Sequence, residues 1–88
     1  MKVTVLGSSR CSDTKNALEV LKANKDEVQF EDISTDLAML KKFCVLRENS
    51  PLFDQIKQNN GLGIPVFFTE DDGITLNLQE ALNWKDEK

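Results

Sequence analysis

The sequence contains no histidine and no tyrosine, and it holds only two cysteines, two prolines and one tryptophan. Each shortage closes off some chemistry. Without histidine there is no Ser-His-Asp or Cys-His catalytic set, no imidazole ligand, and no side chain whose ordinary pKa lies near neutrality. Two cysteines alone do not complete a four-ligand zinc site of the usual kind, and no metal site is expected. No apolar run approaches the roughly 20 residues that span a bilayer. The N-terminus opens on a short strand-like stretch, not on a charged and then long apolar leader. No membrane contact is expected, and the expectation is a cytoplasmic chain with reduced thiols. An excess of positive charge is missing too: 11 basic against 15 acidic residues give a formal charge of -4. Nucleic-acid binding needs a basic patch, so none is expected. The first 30 residues hold five basic and four acidic groups, which leaves the acidity in the remaining 58. Chemistry therefore falls to Cys11, Cys44, the carboxylates and the lysines.

What is present is a pattern of short elements. At 88 residues the chain holds a single domain, 1–88, with one modest core and an expected monomeric state. Lys2 to Leu6 alternates, with Val3 and Val5 on one side, and stops at Gly7-Ser8-Ser9: a strand and a loop. Ala17, Leu18, Val20, Leu21 and Ala23 recur at helical spacing, which predicts an amphipathic helix from Ser12 to about Asn24. Glu27 to Ile33 reads as a second strand, separated from the first by the length of a parallel βαβ crossover. Ser34-Thr35-Asp36 offers an N-cap for a helix from Leu37 to Arg47. One of its stripes holds Leu37, Leu40 and Cys44, and a neighbouring one holds Met39, Phe43 and Leu46. Ser50-Pro51 starts a short helix that Asn59-Asn60-Gly61 ends. The segment from Ile64 to Thr69 is a strand with Pro65 at its start, since proline cannot donate to a ladder. Glu70 to Gly73 turns the chain into a partner strand, Ile74 to Leu76. Asn77 caps a last helix, Leu78 to about Trp84, before a frayed tail. The order is βαβ, α, ββα, an α/β arrangement with a four-stranded mixed sheet flanked by helices, the element order of the thioredoxin fold.

Three features meet near Cys11. It ends the loop after the first strand, it immediately precedes a helix, and a strand-initial proline follows some fifty residues later. The N-terminus of a helix carries partial positive charge and unpaired N–H donors, which favour thiolate over thiol. Arg10 and Lys15 add to that effect and Asp13 opposes it. Cys44, on its stripe with Leu37 and Leu40, is expected to be a buried core thiol. Arg10, Arg47 and Lys57 are the cations first considered for a substrate carboxylate.

From V-T-V-L-G-S-S-R-C-S-D-T-K through G-I-P-V-F-F to the final helix, the chain resembles the glutaredoxins of the thioredoxin superfamily. The likeness is to small glutaredoxin-related proteins with a C-x-D-T or C-x-D-C loop. The resemblance implies that Cys11 attacks a mixed disulfide, and that Thr14, at the second cysteine position, makes this a monothiol member in which Thr14 and Arg10 support the thiolate. It also implies a cis peptide before Pro65, with the backbone of Ile64 offered to substrate. Glutathione or another low-molecular-weight thiol would be a co-substrate, with no tightly bound cofactor, and the partners would be small-molecule thiols and protein mixed disulfides. The glycine pair and acidic residue that hold the γ-glutamyl end in many members are replaced by Thr75-Leu76-Asn77-Leu78-Gln79, where Asn77 is the candidate to receive a carboxylate. The usual basic residue three before the cysteine is Ser8, and the C-G-F-S loop of cluster-carrying members is absent. Two alternatives accompany this reading. One is a non-enzymatic binding or adaptor module on the same fold. The other is an arsenate-reductase-like protein, suggested by Arg10-Cys11-Ser12 and the helix after it, though without that family's length and further basic residues.

Overall fold

A computed structural model describes residues 2–25, 27–71 and 73–84. Its elements are β1 (Lys2–Gly7), α1 (Ser12–Asn24), β2 (Glu27–Asp32), α2 (Leu37–Asn49), a 3-10 turn (Pro51–Phe53), α3 (Asp54–Gln58), β3 (Val66–Thr69), β4 (Ile74–Thr75) and α4 (Leu78–Leu82). The expected frayed tail, residues 85–88, and Asp72 of the hairpin turn lie outside the described residues.

The caps follow side-chain chemistry. A short oxygen-bearing side chain folds back onto the free N–H groups of a first helical turn. Asp36 accepts from the Ala38 N–H at 3.0 Å, Ser50 accepts from Leu52 with Pro51 at the first position, and Asn77 accepts from Glu80 at 3.0 Å. Pro65 lies just before β3, and the Ile64-Pro65 bond is cis.

The strands form one sheet in the order β2-β1-β3-β4. β1 runs parallel to β2, with Val3 opposite Val28 and Val5 opposite Phe30. β3 is antiparallel to both β1 and β4, with Leu6 opposite Val66 and Phe68 opposite Ile74. Successive side chains point to opposite faces, so this register sorts the apolar residues into two cores. Val3, Val5 and Phe67 join Ala17 and Leu21 of α1 and Ala81 of α4 on one face, with Trp84 packed against them. Leu6 and Val66 join Phe43 of α2 and Phe53 of the 3-10 turn on the other. Phe43 and Phe53 meet edge to face at 6.0 Å between ring centres, a favoured aromatic geometry. Each fully buried Val, Leu or Phe is worth about 1.5–3 kcal/mol relative to exposure. The sheet is therefore held between two helical layers.

One expectation is overturned on the second face. Cys44 is exposed, not a core thiol, and the stripe it shares turns outward, with Leu37 80% and Leu40 36% exposed. The reason is volume: α2 sits on the sheet through its neighbouring stripe, where Phe43 is buried and Met39 and Leu46 flank it. An aromatic ring that fills the gap against Phe53 outweighs a stripe of smaller side chains.

Candidate functional site

Cys11 is the N-cap of α1, in extended conformation, half-buried, with a free thiol. A turn delivers it there: the Cys11 N–H donates to the Ser8 carbonyl at 3.0 Å, and the Arg10 N–H to Ser8 Oγ at 3.0 Å. The same loop is tied to the end of β2. Asp32 Oδ1 accepts from the Ser9 N–H at 3.2 Å and from the Ser34 N–H at 2.9 Å, while the Ser34 hydroxyl also donates to it. Those donors, Ser34 first and then Ser9, hold the Asp32 carboxyl well below the usual range. Asp32 thus acts as a clamp across the loop before the cysteine.

Burial pushes the Cys11 thiol up, but the groups at the head of α1 outweigh it and the net shift is downward. The Thr14 N–H and hydroxyl and the Asp13 N–H favour the thiolate, and the Asp13 carboxylate works against it. Thr14 is buried on the same α1 stripe as Ala17 and Leu21. Its Oγ1 accepts from the Ser8 N–H at 3.3 Å, which leaves the hydroxyl proton for the sulfur. The close approach of β1 to this threonine demands a glycine. A Cβ on Gly7 would sit 2.6 Å from Thr14 Oγ1.

The thiol opens onto a groove of about 530 Å³. Ser8, Arg10, Cys11 and Asp13 line it from the loop and the head of α1, Ile33, Ser34 and Leu40 line it as well, and Leu62, Gly63 and Ile64 supply a further stretch of wall. Beyond Ile64 lies a second hollow of about 270 Å³, lined by Asp13, Asn16, Ala17, Ile64, Pro65, Phe67, Leu76 and Leu78. Asp13 and Ile64 line both hollows. The wall is braced from behind by Arg47, whose Nη2 donates to the Gly61 carbonyl at 2.7 Å and whose Nε donates to the Leu62 carbonyl at 2.9 Å. Gly63 has φ +95°, and a Cβ there would be 2.8 Å from the Phe53 ring. Backbone conformation and packing both require glycine at that point.

Among the residues singled out from sequence, Cys11, Arg10 and Ile64 line the groove together, Pro65 lines the adjoining hollow, and Thr14 lies buried beneath the thiol. Asn77 lines neither hollow, although its neighbours Leu76 and Leu78 line the second, and its side chain is engaged in capping α4. Arg47 spends its guanidinium on the loop and not on the groove, and Lys57 does not line it. Sequence reasoning missed Asp32, Ser34, Leu40, Leu62 and the bracing role of Arg47. The Asp32-x-Ser34 spacing is a local turn signal that could have exposed the clamp. Arg47 offered no such signal, since its partners lie 14 and 15 residues away. Among the described residues, no three His, Cys, Asp or Glu side chains come together to hold a metal ion.

A thiolate is a nucleophile toward disulfide sulfur, and a groove beside a thiol gives an attacked molecule somewhere to lie. Fold and site together define a small α/β protein with a thiol at a helix N-terminus, its pKa shifted downward, open to a largely apolar groove. The chain belongs to a family that includes an uncharacterized protein of Haemophilus influenzae, to which it is 37% identical over 73 residues, 80% of this chain and 81% of that protein. No family model and no solved structure matches it. No helix among the described residues is long and apolar enough to cross a membrane.

Proposed function

We propose that this chain is a glutaredoxin-like thiol-disulfide oxidoreductase, built on a thioredoxin fold and working through a single thiol. The observation that carries the reading is the conjunction at the head of α1. A cysteine shifted toward thiolate shares a groove with Ile64, the residue before the cis Ile64-Pro65 bond. The strand order β2-β1-β3-β4, with β3 antiparallel to its neighbours, supports the fold part of the reading.

The reaction runs in two exchanges. The Cys11 thiolate attacks the low-molecular-weight sulfur of a protein mixed disulfide; the S–S bond breaks and the electron pair leaves with the protein thiol, which takes up a proton from water. A second small thiol, as its thiolate, then attacks the adduct sulfur, restores Cys11 and departs as a symmetrical disulfide. Glutathione or another low-molecular-weight thiol supplies these equivalents. Thr14 donates its hydroxyl hydrogen to the thiolate, and the Ile64 backbone is the docking edge for the substrate. Cys44 is exposed on α2 and does not line the groove, so resolution by an internal disulfide is not part of the scheme. Among the described residues Arg10 is the one cation lining that groove, which favours a disulfide over the multiply charged oxyanion of the arsenate-reductase-like alternative.

The test is reduction of a glutathionylated model peptide, paired with mass spectrometry of the protein after exposure to oxidised glutathione. The expected result is one adduct on Cys11, full turnover in Cys44→Ser and none in Cys11→Ser. A large loss in Cys44→Ser would overturn the single-thiol scheme. Absence of any Cys11 adduct would favour the non-enzymatic binding module, a reading that draws on the opposition of Asp13 to the thiolate.

A further inference from the structure

The charges around the thiol are unevenly distributed. Arg10 and Asp13 both line the groove, but among the described residues Asp13 is the only charged side chain lining the second hollow. Two other cations are engaged elsewhere: Arg47 with the Gly61 and Leu62 carbonyls, and Lys42 with Glu31 at 2.7 Å. A disulfide under attack extends to both sides of the sulfur being struck, so with one half in the groove the other is directed past Asp13 and Ile64, the two residues that line both hollows. An anionic half crossing there meets the Asp13 carboxylate, while Arg10 lines only the groove. An ammonium meets that carboxylate together with the side-chain amide of Asn16, which lines the same hollow.

We infer that Asp13 is a specificity-determining residue that selects disulfides with an ammonium group near the sulfur over those with a carboxylate there. The inference rests on the proposal that Cys11 is the attacking thiol. The chemistry is unchanged: Cys11 Sγ forms a bond to one disulfide sulfur, the S–S bond breaks, and the other sulfur leaves with the electron pair and is protonated by water. Asp13 contributes through the field along that path. Its carboxylate also opposes the Cys11 thiolate, so the same charge that selects the substrate moderates the nucleophile.

The experiment compares three small disulfides on the reduced full chain in a Cys44→Ser background: cystamine as the dication, bis(2-hydroxyethyl) disulfide as the neutral probe, and 3,3′-dithiodipropionate as the dianion. Rates of adduct formation on Cys11 are read by mass spectrometry at one pH and low salt. The quantity of interest is the ratio of the cystamine rate to the neutral rate, because the thiolate fraction cancels in it. Asp13→Asn is expected to lower that ratio about threefold, the effect of one unit charge a few ångström away in water, and to raise the dianion's ratio by a similar factor. Asp13→Glu, which keeps the charge, is expected to keep both. Added salt should shrink the preference in the parent and change it less in Asp13→Asn. Equal ratios in the parent and Asp13→Asn would overturn the selectivity while leaving the thiol reading intact. Failure of all three probes to modify Cys11 would remove that reading and this inference together.

Discussion

The two thirteen-residue helices are each paired with one cysteine, as a cap in one and within the helix in the other, and use it in opposite ways. In α1 the cysteine is the cap, and the helix rests on the sheet through a stripe that begins with Thr14, directly beneath the thiol, and continues through Ala17 and Leu21. Packing and site are therefore one structure: whatever seats α1 also seats the hydroxyl that faces the sulfur. In α2 the cysteine lies in the second half of the helix, on a face turned away from the sheet, and the packing residue is Phe43. There packing and thiol are separated. A cysteine's position along its helix and relative to the buried stripe, more than its neighbours in sequence, decides whether its thiol acquires a chemical environment.

The largest effect that would sharpen this contrast lies within α2. Phe43→Ala empties a site between Phe53, Leu6 and Val66, and is expected to cost about 3–5 kcal/mol of unfolding free energy. Leu37→Ala, one stripe over and 80% exposed, should stay within about 0.5 kcal/mol of the parent. Urea denaturation of both variants measures the difference. A cost at Leu37 comparable to that at Phe43 would mean that α2 sits on its other face and that Cys44 is a core thiol after all.

A smaller effect separates two arginines. Arg47 is half-buried and makes two charge-assisted hydrogen bonds to carbonyls of the groove wall, so Arg47→Met is expected to lose about 1–3 kcal/mol, with Arg47→Lys recovering part of it. Arg10→Met, on an exposed loop position, should lose little. If Arg47 positions the wall, Arg47→Met should also slow Cys11 adduct formation under native conditions without moving the pH midpoint of Cys11 alkylation. A shifted midpoint would place its influence on the thiol itself instead.

The ease of reading differed between the two layers for the same physical reason. Strands β1 and β2 alternate cleanly, and α1 has a stripe whose alternatives are charged, so pattern alone located them. The helix start after Cys11, the caps at Asp36, Ser50 and Asn77, and the proline just before β3 were legible because each depends on chemistry local to a few residues. α2 presents two apolar stripes of similar length, and only the shape of the space above the second face, where Phe53 waits, decides between them. The segment after Pro51 broke into a 3-10 turn and a short helix because Phe53 must turn inward there. The site divided along the same line. Cys11 and Arg10 came from local signals and Ile64 from the resemblance to glutaredoxins, while Leu40, Leu62 and the Arg47 brace depend on contacts between segments far apart in sequence.

The smallest predicted effect concerns the clamp that joins the end of β2 to the Cys11 loop, and it is signed by pH. The Asp32 carboxyl is held well below its usual range, because Ser34 and Ser9 donate to the carboxylate. A group whose folded pKa is depressed stabilises the fold at pH values above its unfolded pKa, about 3.9, and that contribution drains away as pH falls toward the folded value. The parent should therefore lose stability more steeply than Asp32→Asn on going from pH 5 to pH 2, while the variant starts lower at pH 5 because an amide is a weaker acceptor for those donors. Denaturation midpoints at the two pH values test the sign. Parallel losses would show that other carboxylates dominate the acid limb and that Asp32 orders the loop without contributing to its pH dependence. The clamp also reaches the thiol: Asp32 anchors the segment through which Ser8 meets Thr14 and Cys11.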